Sequence, residues 1–229
     1  MSNASCLSRN STSADQSRQP VILTVPGLGG SGPDHWQSRW EARYPWIRRA
    51  LLGTWDAPDR NVWAHRLDAE ISRAGGRVLL AAHSLGCLAV AWWAAIYGSG
   101  YMQSVVGALL VAPPDADRQP GLPSIAAFAP VPALPLPFPS ILVASRNDPF
   151  ANFARAATMA SYWGSHLVDA GDAGHINAES GLGDWPVGMT LLDRLSDAAD
   201  DFGETGSKLA RTARFHSKSH EAHPGVTTC

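Results

Sequence analysis

Residues 77–86 read Arg-Val-Leu-Leu-Ala-Ala-His-Ser-Leu-Gly, an apolar run that leads directly into a serine. The run predicts a buried strand over residues 77–82, and the apolar stretch 85–97 after it predicts a central helix. Between them, Ser84 has a small residue two positions before it and two after it. This pattern fits a nucleophile elbow, a sharp strand-to-helix turn in which larger flanking side chains would collide. The alternative is a plain turn with Ser84 as a helix N-cap.

Similar apolar runs recur along the chain and are continuous, which is typical of strands covered on both faces. They predict strands at residues 21–25, 47–52, 77–82, 104–111, 140–144 and 166–170. A second helix is predicted at residues 59–74, where apolar residues recur every four positions. This alternation implies right-handed crossovers. We therefore predict a single α/β domain with a mostly parallel sheet of about six strands flanked by helices, without a large lid.

Composition sets the limits of this domain within the 229 residues. Hydrophobic residues make up 45% of the chain, charged residues 17%, and the net charge is -2, so we expect a globular protein that binds no nucleic acid. The domain is expected at residues 20–195, between polar and disordered tails at 1–19 and 196–229. Residues 113–139 hold nine of the 17 prolines, which predicts a loop-rich excursion over one edge of the sheet.

Other sequence signals point away from membranes, metals and cofactors. The N-terminus lacks the apolar run of a secretory signal, and no stretch of about 18 apolar residues occurs, so a cytoplasmic protein without a membrane partner is expected. The cysteines are scattered and predict neither a disulfide scaffold nor a zinc site. They are Cys6, Cys87 and Cys229. The spacing of His216, His220 and His223 resembles a metal cluster, but no carboxylate supports it; no metal and no cofactor are expected.

An elbow serine requires a base and an orienting acid, and the chain supplies both in the order Ser, Asp, His. Asp148 follows the strand at 140–144, and His175 follows the strand at 166–170. The carboxyl ends of parallel strands share one edge of a sheet, where open α/β proteins bind their ligands. We therefore predict that Asp148 and His175 meet Ser84. Asp172 is a rival acid, but it belongs to the same loop as His175.

The remaining histidines and tryptophans have weaker claims. A structural role is expected for His83, a pocket-lining role is the alternative for His35, and His65 is expected on a solvated or packed helix face. His166 opens a strand and lies too early for the loop. Five tryptophans are candidates for lining a pocket, although core packing is expected for most of them. They are Trp36, Trp40, Trp55, Trp163 and Trp185.

The loop after the first strand supports two interpretations. Residues 27–32 match G-x-G-x-x-G directly after a strand, and Asp56 lies where a ribose-binding acid would, which favours a dinucleotide-binding oxidoreductase. However, Pro33 follows the third glycine at once, where the helix of such a motif should already run. A hydrolase uses the same glycines to bring a backbone N–H close to the reacting carbonyl. On this interpretation, the oxyanion donors are the N–H groups of Leu85 and Leu28.

The sequence resembles the small serine hydrolases related to retinoblastoma-binding protein 9, within the α/β-hydrolase fold. The resemblance covers about residues 20–195 and is carried by residues 26–36, 83–87, 145–149 and 174–186. It implies a lid-poor hydrolase with Ser84, Asp148 and His175 as its triad. Pro26 stands where many α/β-hydrolases have a histidine, so the second oxyanion donor stays open.

The motifs together predict a carboxylesterase-like serine hydrolase that cleaves a small uncharged acyl ester through an acyl-enzyme. The expected partner is a small-molecule acyl substrate; a protein partner is not indicated, and thioester and amide bonds stay open as alternatives. Two further classes also stay open. One is an interaction module with a vestigial hydrolase site, and the other is the dinucleotide-binding oxidoreductase.

Overall fold

The computed structural model describes residues 19–100, 104–118 and 122–198 of the chain. Apart from residue 19 and residues 196–198, both predicted tails lie outside the described residues. The same holds for Cys6, Cys229 and the three histidines of the C-terminal tail.

Six parallel strands form one sheet, in the order β2-β1-β3-β4-β5-β6. The strands are β1 (Val21–Val25), β2 (Ile47–Arg49), β3 (Val78–His83), β4 (Val105–Val111), β5 (Ser140–Ala144) and β6 (His166–Asp169). All six were predicted, and the predicted α/β fold class is confirmed. Because every pair is parallel, the loops that follow β1, β3, β5 and β6 emerge at the same edge of the sheet.

In the part of the chain that the structure describes, six helices flank the sheet. They are α1 (Trp36–Arg43), α2 (Arg60–Ala74), α3 (Leu85–Tyr97), α4 (Pro123–Ala126), α5 (Phe153–Trp163) and α6 (residues 186–198). The predictions at 59–74 and 85–97 correspond to α2 and α3. None of the helices among the described residues is long and apolar enough to cross a membrane.

The two faces of the sheet pack against different helices. Side chains of β3 alternate between the faces: Leu80 packs with α2, α3 and α5, whereas Leu79 packs with α1 and α6. All six residues of β3 are buried, because helices cover both faces of this interior strand. The elbow at the end of β3 is therefore mounted on a fully buried strand.

The proline-rich segment does not lie over an edge strand of the sheet in its described parts, residues 113–118 and 122–139, and that prediction was wrong. It connects β4 to β5, which are neighbours inside the sheet, whereas the edge strands are β2 and β6. Phe128 and Phe138 are buried with the helices of one face, and the Trp163 indole N–H donates to the Pro132 carbonyl at 2.9 Å. Apolar side chains between the prolines draw the segment into the helical layer.

Candidate active site

Ser84 occupies a strained turn between β3 and α3. Its φ of 54° lies in the left-handed region, which costs a residue with a side chain about 1–2 kcal/mol. A Cβ on Gly86 would lie 2.1 Å from the Val25 carbonyl oxygen, and a Cβ on Gly27 would lie 2.8 Å from the Cβ of Ser84. The Ser84 side chain makes no capping hydrogen bond to α3, in contrast to the plain N-cap alternative. The turn instead leaves the hydroxyl for another partner.

That partner is His175, which lies between Ser84 and Asp148. Nε2 of His175 is 2.8 Å from Ser84 Oγ, and Nδ1 is 3.0 Å from each carboxylate oxygen of Asp148. The side chains of His175 and Asp148 are only 10% and 4% exposed. Because a carboxylate only accepts hydrogen bonds, Nδ1 carries the proton and Nε2 is left to accept the serine hydroxyl. The structure thus brings the three predicted residues into one hydrogen-bonded series.

The loops that carry Asp148 and His175 are fastened to each other. Ser145 Oγ accepts a hydrogen bond from the Ala173 main-chain N–H at 2.9 Å. Asn147 Oδ1 accepts one from the Gly174 N–H at 2.7 Å. These bonds fix the spacing of the two loops through residues that lie one to three positions before Asp148 and His175.

An ion-pair network holds the other side of the acid loop. The Asp115 main-chain N–H donates to the Phe150 carbonyl at 3.0 Å, and the Asp115 carboxylate pairs with Arg155 at 2.9 Å. Arg155 also pairs with Asp117, whose carboxylate accepts the Val131 N–H at 3.0 Å. The Asp115 side chain is only 7% exposed, so water screens this pair weakly. The network therefore links the proline-rich segment to the loop of Asp148.

The loop that carries His175 is held from its other side by α1. The Trp36 indole N–H donates to the Ile176 carbonyl at 3.0 Å, and the Trp40 indole N–H donates to the Asp184 carbonyl at 2.7 Å. Ile176 has a φ of 51°, an unusual value for a β-branched residue. The hydrogen bond from Trp36 stabilises this conformation directly after the histidine.

Of the rival residues, Asp172 is exposed, and the carboxylate that contacts His175 belongs to Asp148. His65 and His166 are also exposed, on α2 and at the start of β6. Of the five tryptophans, four are buried in the core and Trp55 is half-buried. Trp55 packs beside the loop after β1, where its carbonyl accepts the Gly29 N–H at 2.9 Å.

Two buried histidines lie beside His175. Nε2 of His83 is 2.9 Å from the His175 carbonyl oxygen, and the ring of His35 lies 4.6 Å from that of His83. Burial, together with the neighbouring charges of Arg49 and His175, lowers the pKa of His35 to about 4. Burial likewise holds the pKa of His83 well below its usual value, with His35 and His175 acting in the same direction. Both rings are therefore neutral near pH 7.

The loop after β1 lies against the elbow. A Cβ on Gly27 would lie 3.1 Å from the Leu85 nitrogen, so a glycine allows the loop to approach that N–H group. Leu85 is buried at the start of α3, and Leu28 is 38% exposed beside Gly27. The next helix begins only at Trp36, beyond Pro33, which differs from the immediate helix of a dinucleotide-binding motif.

Gln37 anchors the loop after β1, a role that was not predicted from the sequence. The side chain is fully buried on α1, accepts the Ser31 hydroxyl at 2.6 Å and donates to the Ala81 carbonyl at 2.8 Å. It thereby joins the loop to β3, the strand of Ser84. A polar residue between two tryptophans gave no sequence signal for this role.

Metal and thiol chemistry have no site among the described residues. In residues 19–100, 104–118 and 122–198, no three His, Cys, Asp or Glu side chains are grouped to hold a metal ion. Cys87 is buried in α3, and burial raises the pKa of its thiol. A neutral buried thiol is a poor nucleophile and a poor metal ligand.

The parallel sheet and the strained serine turn define the protein as an α/β-hydrolase. A family model described as serine hydrolase matches residues 22–194, about three-quarters of the chain. The chain therefore belongs to the serine hydrolase family. No curated protein matches the sequence.

Solved structures agree with this assignment. A structure described as a YdeN-like hydrolase from Pectobacterium atrosepticum is 35% identical, with a TM-score of 0.71, and the match covers 81% of this chain and 95% of that chain. The ydeN gene product of B. subtilis is 18% identical, with a TM-score of 0.60 and coverages of 77% and 98%. Est1E from Butyrivibrio proteoclasticus, solved with ferulic acid, is 13% identical, with a TM-score of 0.55 and coverages of 84% and 91%. The last two show the fold alone.

Proposed function

We propose that this serine hydrolase cleaves small, uncharged acyl esters through an acyl-enzyme on Ser84. The hydrogen-bonded series of Asp148, His175 and Ser84 is the observation that carries the proposal. The serine lies 2.8 Å from an unprotonated imidazole nitrogen, a distance suited to proton transfer. Burial of the acid and the base keeps their interaction strong, because little water screens it.

The reaction proceeds in two halves. In the first, His175 Nε2 takes the Ser84 proton while Oγ attacks the ester carbonyl; the tetrahedral intermediate then collapses, and the alcohol leaves with that proton. In the second, His175 takes a proton from water, the hydroxide attacks the acyl group, and Ser84 recovers its proton as the acid departs. Asp148 keeps the imidazole in the required tautomer and stabilises the imidazolium.

The main-chain N–H groups of Leu85 and Leu28 are the proposed oxyanion donors. Leu85 is the first residue of α3, so the positive end of the helix dipole also faces the developing charge. The close approach of Gly27 to the Leu85 nitrogen supports the contribution of the neighbouring Leu28. One such donor contributes about 3–4 kcal/mol of transition-state stabilisation.

An uncharged substrate agrees with the groups around the serine. The carboxylate nearest the reacting atoms, Asp148, is already occupied by His175 and by the Phe150 N–H at 2.9 Å. The Phe150 ring packs 4.5 Å from the His175 ring, and Leu28 and Trp55 line the neighbouring loop. Apolar side chains favour an uncharged acyl or alcohol group over a polyanionic one. A closer kinship with hydrolases related to retinoblastoma-binding protein 9 is part of the proposal and rests on the four sequence motifs.

Labelling with a fluorophosphonate probe tests the proposal. Wild-type protein is expected to incorporate one probe molecule per chain, and Ser84→Ala none, because only an activated serine reacts with the probe. Wild type should also hydrolyse p-nitrophenyl butyrate faster than an ester with a carboxylate on its acyl chain. Folded wild type that fails to label, or Ser84→Ala that labels equally, would contradict the mechanism. Binding of NAD(H) without labelling would support the oxidoreductase alternative.

A further inference from the structure

His83 makes a contact that the proposed mechanism does not use. Its side chain is buried directly before Ser84 and reaches the opposite loop, where Nε2 lies 2.9 Å from the His175 carbonyl oxygen. The two imidazole rings are 4.9 Å apart and tilted. His83 is therefore covalently adjacent to Ser84 and also contacts the main chain of His175.

The hydrogen-bond partner determines the protonation of His83. A carbonyl oxygen only accepts, so Nε2 of His83 must carry the proton and donate it. Burial and the neighbouring charges of His35 and His175 disfavour the cation, so Nδ1 is unprotonated. This one tautomer holds the His175 carbonyl, and the other would leave two acceptors facing each other.

The ring of His35 packs against the ring of His83. Its Nδ1 accepts the Gln37 N–H at 3.2 Å, so the proton of this neutral ring is on Nε2. Nε2 of His35 is buried and has no hydrogen-bond partner, although an unpaired buried donor costs about 1–3 kcal/mol. The ring lies edge-on to His83 with the centroids 4.6 Å apart. His35 thus packs against the buried ring of His83 and disfavours its cation.

We propose that His83, backed by His35, is a positioning residue that holds the main chain of His175 at the distance from Ser84 that proton transfer requires. This inference rests on the proposed function. The position of the His175 imidazole depends on the main chain that carries it. Two successive carbonyls of that main chain accept hydrogen bonds: His83 donates to the carbonyl of His175, and Trp36 donates to that of Ile176. The neutrality of His83 also matters, because a second cation 4.9 Å away would oppose the imidazolium that forms on His175.

A matched pair of variants separates the hydrogen bond from packing. His83→Gln keeps an N–H donor on an unbranched side chain, whereas His83→Met has nearly the same length and no donor. We expect His83→Met to lower kcat for p-nitrophenyl butyrate and the rate of fluorophosphonate labelling by about tenfold or more, with KM changed by less than about twofold. His83→Gln should recover most of the loss. Thermal unfolding of each variant provides the check on folding.

A spectroscopic test reads the histidine tautomers directly in wild-type protein. Long-range ¹H–¹⁵N correlation spectra of wild-type protein with ¹⁵N-labelled histidine report the tautomer of each ring. We expect neutral His83 and His35 near pH 7, each with its proton on Nε2. His83→Gln assigns the His83 signals.

Several outcomes would overturn the inference. One is a His83→Met variant that labels and turns over like wild type, and another is a His83→Gln variant that loses as much as His83→Met. A protonated Nδ1 on His83 in wild type would also overturn it. These results differ from a failure of the proposed function, in which wild type itself neither labels nor turns over.

Discussion

Asn147 and Gly174 join the acid loop to the base loop one residue before the reacting side chains. The side-chain oxygen Oδ1 of Asn147 accepts the Gly174 N–H at 2.7 Å, and the next residue in each loop belongs to the Asp148–His175 pair at 3.0 Å. The short connection leaves little freedom for one loop to move without the other. The proposed catalytic geometry therefore depends on a residue that performs no chemistry.

Replacing Asn147 should reduce activity more than stability. Asn147→Ala removes the acceptor from the Gly174 N–H, so the imidazole is held less tightly, and we expect kcat to fall by about tenfold. The free energy of unfolding should fall by only about 1 kcal/mol. Ester-hydrolysis kinetics and urea unfolding measure the two effects.

Asn152→Ala is the matched control for this variant. Asn152 makes an equivalent bond, to the Arg155 N–H at 2.8 Å, as the N-cap of α5. Its loss should cost about 1 kcal/mol of stability and leave kcat nearly unchanged. Equal losses of kcat in the two variants would show that Asn147 acts through general stability.

The sequence predicted the strands and the three residues of the hydrogen-bonded series because each has a local signal. Val21–Val25 and Ser140–Ala144 are apolar runs bounded by proline, and Ser84 lies between such a run and an apolar helix. The residues that brace the site have no comparable signal. Asn147 and Gln37 act across loops far apart in the chain, and such pairings depend on the folded topology. The helix α1 was missed because its buried face includes the polar Gln37.

Gly86 is predicted to be essential for folding of the elbow. A Cβ at this position would lie 2.1 Å from the carbonyl oxygen of Val25, the last residue of β1, and 2.7 Å from that of Pro26, the next residue. Main-chain atoms of a buried strand cannot yield easily, so Gly86→Ala should lower the free energy of unfolding by about 3 kcal/mol or more. Urea unfolding provides the measurement.

Gly76→Ala serves as the control for the Gly86 variant. Gly76 is exposed, and a Cβ there would meet nothing within 4 Å. The free energy of unfolding of the Gly76→Ala variant should stay within about 0.5 kcal/mol of the wild-type value. A stable Gly86→Ala protein would show that the elbow tolerates a wider turn than the structure has.

Acid should destabilise the protein through its buried histidines. The pKa of His35 is lowered to about 4 in the folded state, and the value for an unfolded chain is 6.5. Between these values the unfolded state binds a proton that the folded state does not, so the free energy of unfolding falls as pH falls. His35 alone should contribute a loss of about 2 kcal/mol between pH 7 and pH 5. His83 acts in the same direction, because its pKa is also lowered.

His35→Asn tests this contribution. Asparagine cannot titrate but retains an acceptor that can cap α1, where His35 accepts the Gln37 N–H. We expect a shallower decline of unfolding free energy between pH 7 and pH 5 than in wild type. Parallel declines in the two proteins would mean that His35 is not the group responsible.

Trp36 should matter for activity although it lies in the core. Trp36→Phe removes the indole N–H that donates to the Ile176 carbonyl and leaves a small cavity against Trp40 and Trp185, whose rings lie 4.6 and 5.0 Å away. An unpaired carbonyl and lost packing should together cost about 2–3 kcal/mol of stability. Ile176 directly follows His175 and has a φ of 51°. Loss of the hydrogen bond from Trp36 should therefore free the main chain of Ile176 and also lower kcat by about tenfold.

Trp40→Phe distinguishes these two effects. Trp40 is equally buried and also donates its indole N–H to a main-chain carbonyl, but that carbonyl belongs to Asp184, nine residues beyond His175. The two variants should therefore lose similar stability, measured by urea unfolding, whereas only Trp36→Phe should lose substantial kcat. If both variants lost kcat equally, the base loop would be positioned by the whole tryptophan cluster. A loss confined to Trp36→Phe would locate that control at the one hydrogen bond beside the imidazole of His175.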